Sequence, residues 1–180
     1  MRTAVLVCLC LFAGAGVAEP IVFARWPRNV TNANDGVRIN GVDHGVVSVR
    51  TDLAIDRPAK ITMKMRRTAR SERNPGHFGV ELYGGGFRAH FYTHDGAHFI
   101  ASLHRDNVRL YDNGVRGSAV VFPPQADSPW VDVALYVQPK LAELHAAGAP
   151  RGMLNDALLP VKGLSLYGYH NDIEVKDLAW

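Results

Sequence analysis

Residues 77–111 decide the fold of this chain of 180 residues, and they read HFGVELYGGGFRAHFYTHDGAHFIASLHRDNVRLY. Apolar and polar side chains alternate through them, with breaks at Gly84 and Gly85, at residues 94–96 (HDG) and at residues 106–107 (DN). An alternation of period two predicts strands with one buried face, and short breaks rich in Gly, Asn and Asp predict hairpin turns. The stretch therefore predicts a four-stranded antiparallel meander.

The three breaks also predict how the strands of the meander pair. We take the first as a two-residue turn, the second as a three-residue loop with Gly96 in a left-handed conformation, and the third as a tight turn. The predicted cross-strand neighbours are Glu81 with Arg88, Phe91 with Phe99, His104 with Arg109, Leu103 with Leu110, and Ser102 with Tyr111.

The predicted pairing separates the meander into an apolar face and a polar face. The apolar face, which we expect in the core, holds Phe78, Val80, Leu82, Phe87, Ala89, Phe91, Phe99, Ala101, Leu103 and Leu110. The polar face is rich in His, Tyr and Arg, whereas a merely solvated sheet surface favours Thr, Lys, Glu and Ser. Rings and planar donors suit a polar ligand. The candidate binding residues are Glu81, Arg88, His90, Tyr92, His98, His104, Arg109 and Tyr111.

Short alternating segments before and after the meander predict further strands and almost no helix. Residues 66–76 (RRTARSERNPG) are predicted to be a polar loop. Residues 141–148 (LAELHAAG) are compatible with a short helix or with a strand and turn, and the neighbouring strands favour the strand. Segments 164–166 and 173–175 are predicted to form the last two strands.

The chain is predicted to have three parts: a signal peptide over residues 1–18, an N-terminal arm with one edge strand over residues 19–44, and a single β domain over residues 45–180. Residues 1–18 carry Arg2, an apolar run and a small-residue ending, which is the pattern of a cleavable export signal. Both cysteines, Cys8 and Cys10, lie in this segment, and no later apolar run reaches the length of a membrane-spanning helix. We therefore expect a secreted or periplasmic protein without disulfides.

Charge and residue spacing narrow the classes of partner. The net charge of +3 and the pI near 9.0 are mild, and an exported protein is a poor candidate for binding nucleic acid. The basic stretch from Lys60 to Arg73 is either a solvated loop or an attraction for an anionic polymer. The four meander histidines lack the tight spacing of metal ligands, so no metal or other cofactor is predicted.

Catalytic signatures are few. Glycoside hydrolysis requires two carboxylates at one site, and Glu81 is the only carboxylate on the polar face of the predicted meander. A polysaccharide lyase needs a cation to neutralise a uronate together with a base and an acid, and Arg88, His90 and Tyr92 could supply these groups. Glu81 and Arg88 are also consistent with a cross-strand ion pair.

Three segments resemble the concanavalin A-like lectin/glucanase superfamily of jelly rolls: residues 59–85, residues 130–152 (WVDVALYVQPKLAELHAAGAPRG) and residues 164–180 (LSLYGYHNDIEVKDLAW). The first resembles paired early strands, the second a hairpin, and the third a closing strand that returns to pair near the chain start. The resemblance implies an all-β antiparallel β-sandwich of two curved sheets, with the polar meander face on its concave side. The ExDxE motif of the glucanases is absent, and residues 70–73 (RSER) match only part of the RSELR motif of alginate lyases.

Three functions remain open. The first is an exported module that binds a neutral or acidic glycan on the polar face, with Glu81 orienting Arg88. The second is a polysaccharide lyase or glycoside hydrolase that acts from the same face. The third is a structural or adhesive envelope protein whose polar face meets another protein.

Overall fold

The computed structural model describes residues 28–33, 36–106, 108–116 and 120–180, and these residues form two antiparallel sheets. The predicted signal peptide lies outside them. In the part of the chain that is described, no helix has the length and apolarity needed to cross a bilayer. The all-β antiparallel sandwich predicted from the alternation is confirmed.

Thirteen strands are described in this part of the chain. In chain order they are β1 (Val30–Ala33), β2 (Gly36–Asn40), β3 (Val46–Ile55), β4 (Ala59–Arg70), β5 (His77–Gly84), β6 (Phe87–Thr93), β7 (His98–Arg105), β8 (Val108–Arg116), β9 (Val131–Gln138), β10 (Leu141–Ala146), β11 (Ala149–Leu154), β12 (Val161–Tyr169) and β13 (Asn171–Ala179).

The strands divide into a seven-stranded and a six-stranded sheet. The seven-stranded sheet has the order β1-β2-β13-β4-β9-β10-β11, and the six-stranded sheet has the order β3-β12-β5-β6-β7-β8. The meander thus supplies four of the six strands of a larger sheet, because β12 and β3 extend it beyond β5. Within segment 19–44, β1 and β2 form a hairpin, and β2 also pairs with β13.

The hydrophobic core fills the space between the two sheets. From the six-stranded sheet it receives residues such as Val49, Phe91 and Leu164, and from the seven-stranded sheet residues such as Leu135 and Ile173, all nearly inaccessible to solvent. Successive side chains of a strand point to opposite faces, so the residues between these point outward. The predicted apolar face of the meander is therefore confirmed, with one exception at Leu110.

The predicted pairing of β5, β6 and β7 is wrong by two residues, although the faces are right. Glu81 pairs with His90 and Tyr83 with Arg88, while Phe91 pairs with Ala101. The unpaired stretches at both turns are longer than predicted: the last pairs are Tyr83 with Arg88 and Thr93 with Phe99, which leaves residues 84–87 and 94–98 outside the pairing. A shift of two residues leaves every side chain on its own face, whereas a shift of one would have reversed them. Gly96 does have a left-handed conformation, with φ of 82°.

The β7–β8 pair contains an irregularity that the sequence did not indicate. His104 pairs with Arg109 as predicted, but the register then shifts between Leu103 and His104, so that Leu103 pairs with Tyr111. The shift leaves Leu110 as an extra residue on β8. Leu110 is 49% exposed, which corrects its predicted place in the core.

The first part of the predicted polar loop at residues 66–76 is strand, since β4 continues to Arg70, and the loop begins only after it. Arg67 points inward and is completely buried, where its Nη1 donates a hydrogen bond to the carbonyl oxygen of Phe122 at 3.3 Å. Its guanidinium also lies 5.5 Å from the ring centre of Phe78. Burial, together with Arg70, lowers the pKa of Arg67 to about 10. The predicted solvated loop is therefore wrong at this position.

Of the three segments that resemble jelly rolls, two form the predicted strand pairs and one does not. Residues 141–146 are the strand β10, which forms hairpins with β9 and β11, as the interpretation as strand required. The last strand, β13, pairs with β2 near the start of the described chain, which confirms the predicted closing strand. The early strands β4 and β5 do not pair with each other, because they lie in different sheets.

Candidate functional site

The side of the six-stranded sheet that points away from the core, which we call the outer face, carries the predicted polar residues in four cross-strand rows. Neighbouring rows on this face are two residues apart along each strand, which corresponds to roughly 7 Å. Across the sheet from β3, the rows are Val46–Tyr169–His77; Ser48–Tyr167–Gly79–Tyr92–Ile100; Arg50–Ser165–Glu81–His90–Ser102; and Asp52–Gly163–Tyr83–Arg88–His104–Arg109. The outer face thus changes from aromatic at one end to basic at the other.

The first two rows hold a cluster of rings, which we call the aromatic patch: His77, Tyr92, Tyr167 and Tyr169. The ring centre of His77 lies 5.1 Å from that of Tyr92, 5.1 Å from that of Tyr169 and 5.6 Å from that of Tyr167. Tilted and edge-on contacts at these distances are favourable. His77, Tyr92 and Tyr169 remain partly exposed, so the patch offers ring surface to a ligand.

Three polar groups lie buried beside the aromatic patch. Glu81 Oε1, His90 Nε2 and the Tyr167 hydroxyl are inaccessible to solvent and have no hydrogen-bond partner in the protein, although His90 Nε2 is 3.5 Å from Glu81 Oε2. Burial raises the pKa of Glu81 against the opposing effect of Arg88 and Arg50, and burial also raises the pKa of Tyr167. Burial and the neighbouring His104 lower the pKa of His90 to about 4. His90 is therefore a neutral imidazole at neutral pH.

Residues of the third and fourth rows line a shallow groove of about 350 Å³, which we call the basic groove. Arg50, Tyr83, Arg88 and His104 line it, together with Gly84, Gly86, Phe87 and Asp106. The Arg50 guanidinium lies 4.4 Å from the ring centre of Tyr83, and the Tyr83 hydroxyl donates to the carbonyl oxygen of Thr51 at 3.0 Å. These contacts hold Tyr83 flat on the sheet and Arg50 over it.

The structure brings together most of the predicted site residues. Arg88, His90 and Tyr92 occupy three successive outward positions of β6, and His104 lies between Arg88 and Arg109. The rings of His90 and His104 are 5.1 Å apart. His104 is partly exposed, and burial, Arg88 and Arg109 lower its pKa.

Two predicted site residues are placed differently. His98 lies at the start of β7, where its Nδ1 forms a short contact with Asp95 in the preceding loop. Tyr111 pairs with Leu103 on β8, and its side chain lies outside the described part of the structure.

The predicted pairing of Glu81 with Arg88 is corrected by the register. Tyr83 stands opposite Arg88, while Glu81 contacts His90 and lies 3.9 Å from Arg50 Nη2. The arginine within ion-pair distance of Glu81 is therefore Arg50, from a strand outside the meander, while Arg88 and Arg50 both act electrostatically on Glu81.

Sequence reasoning missed the contribution of β3 and β12. Arg50 belongs to the basic groove, and Tyr167 and Tyr169 belong to the aromatic patch. The signal was present as alternation, since Arg50 follows the buried Val49 and Tyr167 follows the buried Leu166. What the sequence did not indicate was that β12 lies between β3 and β5.

The surroundings of Glu81 bear on catalysis. Its neighbours on the adjacent strands are Ser165 and His90, and its neighbours along β5 on the same face are Gly79 and Tyr83, so no carboxylate adjoins it in the described sheet. Within the described ranges, no three His, Cys, Asp or Glu side chains are grouped closely enough to hold a metal ion.

Comparison of the whole structure finds similar folds in sugar-binding and sugar-cleaving proteins. Sheep galectin-11, solved with glycerol, matches with a TM-score of 0.54 and 14% identity over 72% of this chain and 93% of that one. The carbohydrate-binding module CBM66 of Bacillus subtilis has a TM-score of 0.58 and 4% identity over 83% and 88% of the two chains. The β-glucanase of Bacillus licheniformis has a TM-score of 0.56 and 9% identity over 93% and 96%.

These likenesses define the class of fold. The chain has the concanavalin A-like jelly-roll sandwich that galectins and β-glucanases share, as the resemblance in its sequence implied. At identities this low, the likeness establishes the fold alone, because this architecture supports several functions. No protein-family model matches the sequence, and no curated protein matches it.

Proposed function

We propose that this protein is an exported carbohydrate-binding module that holds a glycan along the outer face of its six-stranded sheet. The aromatic patch would stack against the apolar side of sugar rings, and the basic groove would hydrogen-bond to their polar substituents. The ligand is a glycan, neutral or acidic.

The observation that carries this proposal is the ring cluster centred on His77. An outward sheet face in water gains little from two tyrosine rings that each pack against His77 while all three rings still expose part of their surface. A ligand that covered Tyr92 and Tyr169 would bury this ring area without reorganising it, since the contacts with His77 already hold the rings. The fold supports the same proposal, because its structural neighbours include galectins and the module CBM66.

Export is part of the proposal and depends on the sequence of residues 1–18. A fusion of these residues to a reporter enzyme should be exported and processed after Ala18, and retention of the uncut fusion in the cytoplasm would contradict this.

Binding is tested in two stages. A glycan array probed with the purified chain should identify at least one bound glycan class, and titration calorimetry should then give its affinity. Tyr92→Ala and Arg88→Ala should each weaken this binding by about tenfold or more, since a buried aromatic contact and a charge-assisted hydrogen bond are each worth more than 1 kcal/mol. Unchanged affinity in both variants would refute the assignment of the face.

An enzyme remains the second candidate, and the arrangement on β6 favours a lyase over a hydrolase. His90 is a neutral imidazole flanked on the same face by Arg88 and Tyr92, which are the kinds of group that β-elimination from a uronate needs. Incubation with uronate polymers, followed by ultraviolet absorbance, distinguishes the two functions. Binding without any unsaturated product supports the module.

A protein partner is the third candidate. A pull-down that recovers a protein through this face, together with an array on which no glycan binds, would favour it over the proposal made here.

A further inference from the structure

We propose that the basic groove is a subsite for an anionic oxyacid substituent, a carboxylate or a sulfate ester, so that the glycan is acidic. This inference rests on the proposed function and assigns a separate task to Arg50, Arg88 and His104. The aromatic patch would bind the sugar rings, and the basic groove would select their charge.

Basic side chains lie next to one another on three adjacent strands of the fourth row. Arg88 stands directly opposite His104, and His104 directly opposite Arg109, on three adjacent strands. Directly opposed like charges destabilise a sheet, and the lowered pKa of His104, to which Arg88 and Arg109 contribute after burial, reflects the same repulsion. A bound anion would turn this unfavourable row into a favourable one.

Arg50 is held in place by Tyr83, and its guanidinium still has N–H groups that can donate hydrogen bonds to a ligand. Its guanidinium lies over Tyr83, and Tyr83 is fixed by its hydrogen bond to Thr51. Arg50 Nη2 is 3.9 Å from Glu81 Oε1, which is beyond hydrogen-bond distance, and the Arg50 side chain is 60% exposed. A planar guanidinium matches carboxylate and sulfate oxygens in a bidentate geometry, and its placement reduces the entropy that binding must overcome.

Close contacts fix the floor of the basic groove and one of its ends. Tyr83 lies over Gly163, where a Cβ atom would come within 2.0 Å of the Tyr83 ring. The β5–β6 and β7–β8 turns are joined by a hydrogen bond from the Asp106 amide to the Gly86 carbonyl oxygen at 3.1 Å. The groove is therefore open above but fixed at its base and at one end.

Three carboxylates lie close enough to oppose an anion, and one of them, Asp52, interacts with the Tyr83 hydroxyl at the β3 side of the groove. Asp106 lines the groove at the turn, and Glu81 lies at its inner side. Burial raises the pKa of Glu81, and two guanidiniums, those of Arg50 and Arg88, line the groove against the one lining carboxylate, that of Asp106. The balance along the groove favours an anionic ligand, with Asp106 restricting where the charged group can sit.

The subsite is tested directly with monomers, because these do not depend on a complete glycan. Galacturonate and a galactose sulfate supply the two sources of negative charge, and methyl galactoside is the neutral probe. Each is titrated into the full chain while the imidazole resonances of His104 and His145 are followed by nuclear magnetic resonance. His145 belongs to the seven-stranded sheet and serves as the reference. We expect one or both anions to shift the His104 signal with saturation, and methyl galactoside to leave it unchanged.

The same selectivity is then measured on chains of sugars. A short oligogalacturonate is compared with its carboxyl-reduced, neutral counterpart in wild type, in Arg88→Gln and in Lys140→Gln, which removes one positive charge from the exposed turn between β9 and β10. Wild type and Lys140→Gln should prefer the acidic oligomer by about tenfold, whereas Arg88→Gln should weaken binding of the acidic oligomer more than binding of the neutral one, so that this preference is lost.

The outcomes separate this inference from the proposed function. Equal affinity for the acidic and neutral oligomers, with no response of His104 to either anion, overturns the subsite but leaves glycan binding intact. Loss of all oligomer binding on Tyr92→Ala, with the charge preference removed by Arg88→Gln, supports both. Failure of every glycan on the array, as well as every oligomer and every monomer, to bind overturns both.

Discussion

The ring of Tyr83 lies across the backbone of Gly163, so that a methyl group added at residue 163 would stand 2.0 Å from the Tyr83 ring. In this position the Tyr83 hydroxyl reaches over β12 to the carbonyl oxygen of Thr51, and the ring supports Arg50. A glycine on one strand therefore allows a tyrosine of the next strand to position an arginine of a third.

Gly163→Ala should displace Tyr83 and lower the free energy of unfolding by about 1–3 kcal/mol, because the added methyl group overpacks the contact. In a Tyr83→Ala background the same substitution should cost much less, since the obstructing ring is gone. Chemical denaturation of the four chains of this double-mutant cycle measures the coupling. Equal costs in both backgrounds would show that the two residues do not determine each other's position.

Arg67→Met should raise the free energy of unfolding by about 1–2 kcal/mol. Arg67 is fully buried with Nε and Nη2 lacking hydrogen-bond partners, and replacing a poorly compensated buried charge with an apolar side chain of similar length is often stabilising. Arg67→Ala should instead destabilise by roughly 2–4 kcal/mol, because it leaves a cavity. Urea denaturation compares the two variants, and a Met variant as unstable as the Ala variant would contradict this account.

Tyr167→Phe should leave the protein equally stable or stabilise it by about 1 kcal/mol. The hydroxyl is buried and makes no hydrogen bond within the protein, so its removal relieves a desolvation cost. Glycan affinity should change by less than twofold, because the ring that contacts His77 remains. Thermal unfolding and calorimetry provide the two readouts. A large loss of affinity would mean that the hydroxyl contacts the ligand.

Acid should destabilise wild type more than His90→Gln. The folded-state pKa of His90 is about 4 against an ordinary 6.5, so the unfolded chain binds more protons than the folded chain between these pH values, and stability falls as pH falls through this range. The difference accumulated by pH 4 should reach up to roughly 3 kcal/mol. The raised pKa of Glu81 acts in the opposite direction in both chains. Denaturation at a series of pH values tests this, and parallel curves would refute it.

The affinity for galacturonate should rise several-fold as pH falls from about 7 to about 5, a range that extends well below the ordinary histidine pKa of 6.5 because the pKa of His104 is lowered. Burial, Arg88 and Arg109 lower the pKa of His104, and an anion in the basic groove would stabilise its protonated form. The ring of His90 lies 5.1 Å away but stays neutral in this range. In His104→Gln the affinity should vary much less with pH. A steep dependence that persisted in this variant would place the titrating group elsewhere.

Local alternation predicted the faces of the strands correctly, because it depends only on each strand's own sequence. Pairing depends on loop length, and three successive glycines at residues 84–86 do not reveal how many residues the turn contains. The exposed Leu110 results from a one-residue irregularity that no local pattern marks. Arg67 was misassigned because its polar neighbours resemble a loop, whereas tertiary packing continues β4 through it.

The residues at the centre of the candidate site could be predicted from the sequence, whereas those at its edge could not. Arg88, His90 and Tyr92 follow from the alternation of one strand. Arg50 and Tyr169 reach the site because β12 enters the sheet between β3 and β5, and such long-range strand order is not encoded by spacing. Sequence alone therefore indicated a surface rich in His, Tyr and Arg, but it did not indicate that Arg50 lines the basic groove.

The central claim is that the outer face of the six-stranded sheet binds the glycan. The most direct measurement compares two tyrosine variants by calorimetry with a glycan identified on the array: Tyr92→Ala on this face, and Tyr136→Ala on the outer side of the seven-stranded sheet, where Lys60 and His145 contact the ring. The account predicts at least tenfold weaker binding for Tyr92→Ala and wild-type affinity for Tyr136→Ala. The reverse result, with Tyr92→Ala unaffected and Tyr136→Ala impaired, would contradict it.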